Sequence, residues 1–168
     1  MKAKLVVDGK EFPIEIQDSE LQKIFTQKTD TGYERVDETS MYYFQDCNGN
    51  IAFEYDRHNA FNIVCYNVAN YYSNETIAKN NAKADKLMRK LRRFAVEHRK
   101  GKMSWANEGT RKYYICTKYG TNEIVYDYAC VNQSFSTIYF DTEEAVELAI
   151  HTFYDELVWY FTEYKDSL

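Results

Sequence analysis

A long amphipathic helix over residues 73–100 is the feature that most constrains how this chain of 168 residues can fold. At about 100° per residue, its apolar side chains recur on one side, which is the period of an α-helix and not of a strand. We predict that the helix is capped at Ser73 and ended by Gly101, and that its apolar side packs on the rest of the protein. The residues on that side are Ile77, Ala84, Leu87, Met88, Leu91, Phe94 and Ala95.

The other side of the predicted helix is strongly basic. Between Lys79 and Lys102 there are ten lysines and arginines but only two acids, although the whole chain has a formal net charge of −5. Like charges four residues apart repel on a helix, and a merely solvated face would normally be interleaved with Glu. We therefore expect either an external polyanion or the acidic surface of a second copy, in a homodimer, to face this stripe. The candidate binding residues are Lys79, Lys83, Lys86, Arg89, Lys90, Arg92, Arg93, Arg99 and Lys100.

The pattern of strands around this helix predicts a duplicated unit. Two segments each read as a Tyr-rich strand, a turn, a return strand, a third strand and a capped helix. The helix starts align as YYSNETI at 71–77 and YFDTEEA at 139–145, and the second has the D-x-x-E spacing of a capping box at Asp141. Such self-similarity predicts an internal duplication of a βββα unit. The predicted strands are residues 41–44, 51–55 and 61–67 in the first copy, and 112–117, 123–128 and 136–140 in the second.

An N-terminal ββα unit precedes the duplication. Two apolar strands flank Asp8-Gly9, a dipeptide that favours a tight hairpin turn, and residues 20–26 have a helical pattern. A short strand is predicted at 33–36. We therefore predict an α+β fold whose antiparallel sheets carry helices on one face. Within one compact domain, residues 1–30 form the ββα unit, 31–100 the first βββα repeat with the basic helix, and 101–168 the second repeat with an acidic helix.

Composition excludes several classes of protein. The four cysteines, Cys47, Cys65, Cys116 and Cys130, form no CxxC pair and have no nearby His partners, which predicts reduced thiols and no metal site. The start of the chain lacks the pattern of a signal peptide, and no apolar run approaches the roughly 18 residues of a membrane span. We expect a soluble cytoplasmic protein that uses no cofactor.

Catalytic signatures are scarce in this sequence. It contains no P-loop, GxSxG, HExxH or dinucleotide fingerprint. The catalytic candidates are Glu54, Asp56 and His58, in a loop that leaves a predicted strand. A carboxylate and a His beside Arg57 could cleave RNA without metal, because a base can take the 2′-OH proton while a cation stabilises the phosphorane. The alternative is a solvated turn in which Asp56 accepts local backbone hydrogen bonds.

Several segments resemble a group of small phage and mobile-element proteins of Gram-positive bacteria. They are VVDGKEFPIEI with DSELQKIF near the N-terminus, TGYERV at 31–36, YYSNETIAKNNA and IYFDTEEAVELAI. Small, Tyr-rich, acidic α+β proteins of this general kind include anti-CRISPR inhibitors. The resemblance implies that the partner is a host CRISPR effector nuclease, its guide RNA, or both. It assigns no role to any residue.

Three functional hypotheses follow from the sequence. The first is a phage-encoded inhibitor of the anti-CRISPR type that binds its target through the basic helix. The second is an enzyme, a small metal-independent ribonuclease that acts on structured or guide RNA. The third is an interaction scaffold that binds no nucleic acid.

Overall fold

The computed structural model describes Lys2–Val7, Lys10–Glu15, residues 31–106 and residues 108–164. The chain divides into two compact units, Met1–Glu34 and Arg35–Leu168. The architecture is α+β, because antiparallel hairpins and packed helices make up the described chain. The predicted division into 1–30, 31–100 and 101–168 stays a prediction.

Among the described residues of the first unit, two strands form an antiparallel hairpin. Strand β1 (Lys2–Val7) pairs with β2 (Lys10–Glu15) in a register that joins Val7 to Lys10 and Lys4 to Pro13. This confirms the predicted N-terminal hairpin, while its Asp8-Gly9 turn and the predicted helix at 20–26 lie outside the described residues. The strand predicted at 33–36 does not form. Glu34 instead accepts hydrogen bonds from the backbone and hydroxyl of Thr31, and these lower the pKa of its carboxyl to about 2.

The second unit begins with a hairpin of β3 (Met41–Gln45) and β4 (Ile51–Tyr55). Both strands were predicted. In the turn between them Gly49 has a φ of +86°, a left-handed conformation that glycine adopts without strain. The prediction of a third strand at 61–67 is wrong. That segment is helix α1 (Ala60–Asn67), which begins at the N-cap Asn59.

Local hydrogen bonds explain why residues 60–67 are helical. The side chain of Asn59 accepts from the backbone N–H of Asn62, and the Asn62 side chain accepts from Asn59 in return at 3.3 Å. This reciprocal box satisfies two N–H groups that the first turn of a helix leaves without partners. A short apolar run fits a strand and a buried helix equally well, so the cap decides between them.

Helix α2 (Glu75–Glu97) is the predicted basic helix. Its N-cap is Asn74 rather than Ser73, and the Asn74 side chain accepts from two backbone N–H groups of the first turn. The helix contacts both strands of the β3–β4 hairpin and also the C-terminal helices. Its buried residues are Ala78, Ala82, Ala84, Leu87, Leu91, Phe94 and Ala95.

The rest of the second unit is a hairpin followed by helices. Strands β5 (Lys112–Thr117) and β6 (Ile124–Ala129) pair in antiparallel fashion, as predicted. Helix α3 (Glu143–Thr152) ends at Phe153, and α4 (Tyr154–Trp159) continues into a π-helical turn (Tyr160–Tyr164). The last helix is therefore interrupted. Its N-cap is Thr142 and not the predicted Asp141.

The part of the chain that the structure describes contains no duplicated βββα unit, so the predicted internal duplication is wrong. Residues 61–67 are helical, and residues 136–140 contribute only one bridging residue to a sheet. The two segments share a pair of backbone hydrogen bonds before a helix. Tyr43 exchanges backbone hydrogen bonds with Tyr72, and Tyr113 does the same with Phe140, each just before a capped helix. The aligned aromatic pairs at 71–72 and 139–140 therefore mark two isolated bridges rather than two third strands.

Two clusters of buried side chains stabilise the second unit. In the smaller one, the rings of Tyr42 and Tyr71 stack with centroids 4.0 Å apart, beside Cys65. The larger cluster joins the apolar side of α2 to β6, α3 and α4, which makes the basic helix part of the core. It contains Leu87, Leu91, Phe94, Ala95, Ile124, Phe140, Ala145, Val146, Ala149 and Leu157.

Candidate nucleic-acid interface

Some of the predicted basic binding residues are occupied by contacts within the second unit. The Lys90 ammonium lies 2.7 Å from the Glu156 carboxylate, and the Lys83 ammonium lies 3.6 Å from the centre of the Trp159 ring. These two side chains therefore fasten α2 to α4. Two exposed pairs lie nearby, Lys79 with Glu75 at 2.9 Å and Lys100 with Glu144 at 3.7 Å.

The remaining predicted residues form what we call the open basic face, namely Lys86, Arg89, Arg92, Arg93 and Arg99. All five are exposed. The nearest acid to Arg93 is Glu97, at 3.8 Å and in an exposed pair that screening makes weak. For the other four, no carboxylate of the described chain lies within ion-pair distance. The structure thus separates the stripe into lysines that have acidic or aromatic partners and an arginine-rich face that is open to solvent.

The Asp141 carboxylate binds the backbone just beyond the C-terminal end of α2, next to Arg99 of the open basic face. One oxygen of Asp141 accepts hydrogen bonds from the backbone N–H groups of Lys100 and Gly101, at 2.7 and 2.9 Å. These groups follow the last turn of α2, whose C-cap is His98. Asp141 directly precedes the N-cap of α3, so it fixes the end of the basic helix against the start of the next one.

A groove of about 370 Å³ lies beside the open basic face. Arg92, Val96 and Arg99 line one wall, and residues 136–139 line the other. The ring of Tyr139 is buried in the second wall, where its hydroxyl accepts a hydrogen bond from the Ser134 N–H at 2.8 Å. The groove therefore has a buried aromatic residue in one wall and two exposed arginines in the other.

An exposed aromatic residue lies at one end of this second wall. Phe135 is 100% exposed, next to Ser136, whose φ of +63° is in the left-handed region. We did not predict Phe135, Ser136 or Tyr139 as site residues. The available signal was a single Phe within the polar segment NQSFST at 132–137, because an isolated aromatic among polar loop residues has no core to join.

The structure places the three catalytic candidates in very different surroundings. Asp56 is fully buried, and its carboxylate accepts hydrogen bonds from Arg35 at 2.9 Å, from the Tyr71 hydroxyl at 2.9 Å and from the His58 backbone at 2.8 Å. Arg35 first and then the other two hydrogen bonds hold the pKa of the Asp56 carboxyl well below its usual range, against the effect of burial. Glu54 accepts from the N–H of its neighbour Tyr55.

These surroundings favour a structural role for Asp56. A general base works best when its pKa is near the operating pH, and the pKa of Asp56 is shifted in the opposite direction. The imidazole Nδ1 of His58 lies 3.7 Å from the Asp56 carboxylate, which is beyond hydrogen-bond distance. We conclude that Asp56 fastens the loop after β4 to Arg35 and Tyr71.

The described residues offer no further sign of a metal or membrane site. Within them, no three His, Cys, Asp or Glu side chains come together as metal ligands. No helix in the same ranges is both long enough and apolar enough to cross a bilayer. All four cysteines are free thiols, and burial raises the pKa of Cys65 and Cys116.

Comparisons with protein-family models, with curated proteins and with solved structures give no significant match. The resemblance to phage and mobile-element proteins therefore stays a prediction. The features of the molecule that indicate a function are the open basic face and the groove beside it.

Proposed function

We propose that this protein is an inhibitor that binds RNA through the open basic face of α2. The observation that supports this most directly is the exposure of Lys86, Arg89, Arg92 and Arg99 without an acidic partner in the described chain. The opposite side of the same helix is buried in the core. The fold thus supports a rigid cationic surface whose charges are left for a ligand.

An RNA backbone is the polyanion that best fits this surface. Seven residues separate Lys86 from Arg93, which corresponds to about 10 Å along the helix, so several phosphates of one strand can be contacted at once. Arginine pairs with phosphate through two parallel N–H donors, and most of the face is arginine. Residues 79–102 carry a net charge of +8, so the rest of a chain with a formal net charge of −5 carries −13. This negative charge limits non-specific adhesion to nucleic acid, which favours a defined RNA target.

The family resemblance supplies the candidate target. We propose that this RNA is the guide RNA of a host CRISPR effector nuclease, and that the protein acts in the bacterial cytoplasm by occupying RNA phosphates that the effector needs. Binding without cleavage is sufficient for such an inhibitor. The ribonuclease and scaffold hypotheses then become alternative outcomes of the same experiment.

The test compares two variants of equal charge. The first, K86Q/R89Q/R93Q, removes three charges from the open basic face, whereas K10Q/R57Q/K118Q removes three exposed charges from elsewhere in the chain. Each phosphate contact contributes about 0.7–0.9 to the slope of log affinity against log salt, so the first variant should lower the slope by about two units. The second should leave it unchanged. Fluorescence anisotropy with a labelled guide RNA over a salt series measures both.

Neither variant should unfold, because the six substituted side chains are exposed. Equal slopes for both variants would contradict the proposed interface. Absence of RNA binding by the wild type, together with capture of the effector protein alone, would favour the scaffold hypothesis. RNA that is shortened on a denaturing gel, with or without EDTA, would favour the ribonuclease.

A further inference from the structure

We propose that the groove beside the open basic face, together with Phe135, binds an unpaired nucleotide of a single-stranded RNA segment. The base would stack on the Phe135 ring, and the adjoining phosphate would meet Arg92 and Arg99. This inference rests on the proposed function and names the part of the RNA that is recognised. The experiment below separates the failure of one from the failure of the other.

The exposure of Phe135 is the first observation that supports this site. A fully exposed aromatic ring gains nothing from the core, and Phe135 lies in a turn directly before Ser136, which lines the groove. Ser136 holds a positive φ that is unfavourable for a residue with a side chain. Such conformations persist where the surrounding structure fixes them, and they occur often at binding sites. The backbone is therefore held in a form that presents the ring to solvent.

The position of the two arginines is the second observation. Arg92 and Arg99 are exposed, line the groove on the side of α2, and have no acidic partner in the described chain. The opposite wall carries Ser136 and Thr137, whose hydroxyls can accept and donate hydrogen bonds to a sugar or a base edge. The groove thus has cations on one wall and hydroxyls on the other, and the residue that precedes Ser136 adds an exposed aromatic ring. Proteins use this combination of groups to bind single-stranded RNA.

The chemistry favours an unpaired nucleotide over other anionic ligands. A duplex has its bases stacked inside, so it could use the arginines but not the ring of Phe135. An acidic peptide would likewise neutralise Arg92 and Arg99 while leaving Phe135 without a stacking partner. Only a splayed base beside its phosphate uses all of the groups that the groove displays.

The experiment measures the affinity of the full chain for a labelled 12-nucleotide oligouridine and for a matched RNA duplex. F135A should weaken oligouridine binding about 5- to 150-fold, which is the usual effect of losing one stacked base. Its affinity for the duplex and its salt slope should not change, since no charge is removed. F135W should restore binding, because tryptophan also offers an aromatic plane.

A matched control is Y119A, which removes another fully exposed ring, 102% accessible, from the turn between β5 and β6. It should behave as wild type with both RNAs. F135A and Y119A should both unfold at the wild-type temperature, because neither ring is packed. R92Q/R99Q should lower the salt slope for both RNAs, in contrast with F135A.

Three outcomes would overturn the inference. Oligouridine affinity that is unchanged in F135A, or that falls equally for the duplex, would remove the stacking role while leaving the proposed RNA-binding function intact. Polyglutamate that displaces oligouridine equally well from wild type and F135A would assign the groove to an acidic peptide. If the wild type bound neither RNA, the proposed function would fail and this inference with it.

Discussion

At the scale of single residues, Asp56 is a charged side chain that is fully buried in the second unit. Its buried carboxylate accepts from Arg35, Tyr71 and the backbone after β4. A buried charge is tolerated only when it is paired and hydrogen-bonded. Removing one partner leaves the other buried groups without a hydrogen bond. From the sequence, Asp56 was a candidate general base. Its partners Arg35 and Tyr71 are 21 and 15 residues away in the chain, so nothing in the sequence indicates that its carboxylate is already paired. Sequence spacing alone cannot reveal such contacts.

The first prediction concerns this carboxylate. D56N should lower the free energy of unfolding at pH 7 by about 3 kcal/mol, because Arg35 and the Tyr71 hydroxyl lose a charged acceptor. D85N, which removes an exposed carboxylate from α2, should change it by less than about 0.5 kcal/mol. Urea unfolding measures both. A cost for D56N as small as that of D85N would show that the buried network contributes little.

The second prediction gives the pH dependence of the same variant. The folded pKa of Asp56 lies below the unfolded value of about 3.9, so its stabilising contribution is complete above that pH and is lost as pH falls toward the folded pKa. The difference between wild type and D56N should therefore be largest at pH 5–7 and shrink steadily below about pH 4. A difference that stays constant down to pH 2 would contradict the assigned cause.

At the scale of elements, the sequence predicted strands and helices well where their periods are long or their turns are explicit. The period of α2 and the turns between paired strands identified the basic helix and all three hairpins. The segment 61–67 was misassigned because seven apolar-rich residues fit either element, and the deciding contact is the Asn59–Asn62 cap. The interruption at Phe153 was also missed. The Phe153 ring packs edge-on against Phe94 of α2, a long-range contact that the sequence does not reveal.

The third prediction tests what makes α1 a helix. The buried amide of Asn62 accepts from the Arg57 N–H at 2.9 Å and donates to the Tyr42 hydroxyl at 3.0 Å, in addition to completing the cap. N62A should therefore lower the free energy of unfolding by about 2–3 kcal/mol, because it leaves buried donors and acceptors without partners. V64A, on the exposed side of the same helix, should cost less than about 0.5 kcal/mol. Chemical denaturation followed by circular dichroism compares them, and equal costs would refute the role of the cap.

At the scale of the whole molecule, charge is distributed unevenly along the chain. The segment from Lys79 to Lys102 carries ten basic and two acidic residues within a protein of formal net charge −5. The sequence predicted this segregation. The sequence could not predict which basic residues remain without an acidic partner. The carboxylates that pair with Lys90 and Lys100 come from α4 and α3, more than 40 residues later in the chain. Tertiary packing selects the open basic face from the larger stripe.

The last prediction distinguishes the two partners that the sequence left open. Each copy carries the same net negative charge, so two copies repel each other. We therefore expect sedimentation velocity to give a monomer of 20.0 kDa at both 50 and 300 mM salt. The two salt concentrations lie on either side of 0.1 M, where charges are screened over about 10 Å. K86Q/R89Q/R93Q serves as the control. A doubled mass at low salt in the wild type, absent in this variant, would assign the open basic face to a second copy of the chain.

Helix α2 has one side in the core and one side exposed, and this has a consequence for how the protein can evolve. Substitutions at Leu87, Leu91 or Phe94 are constrained by packing, whereas those at Lys86, Arg89 or Arg92 meet no such constraint. Selection on the partner and selection on folding therefore act on interleaved positions of one segment. A lineage carrying this helix can change what it binds, residue by residue, while the scaffold that presents those residues stays the same.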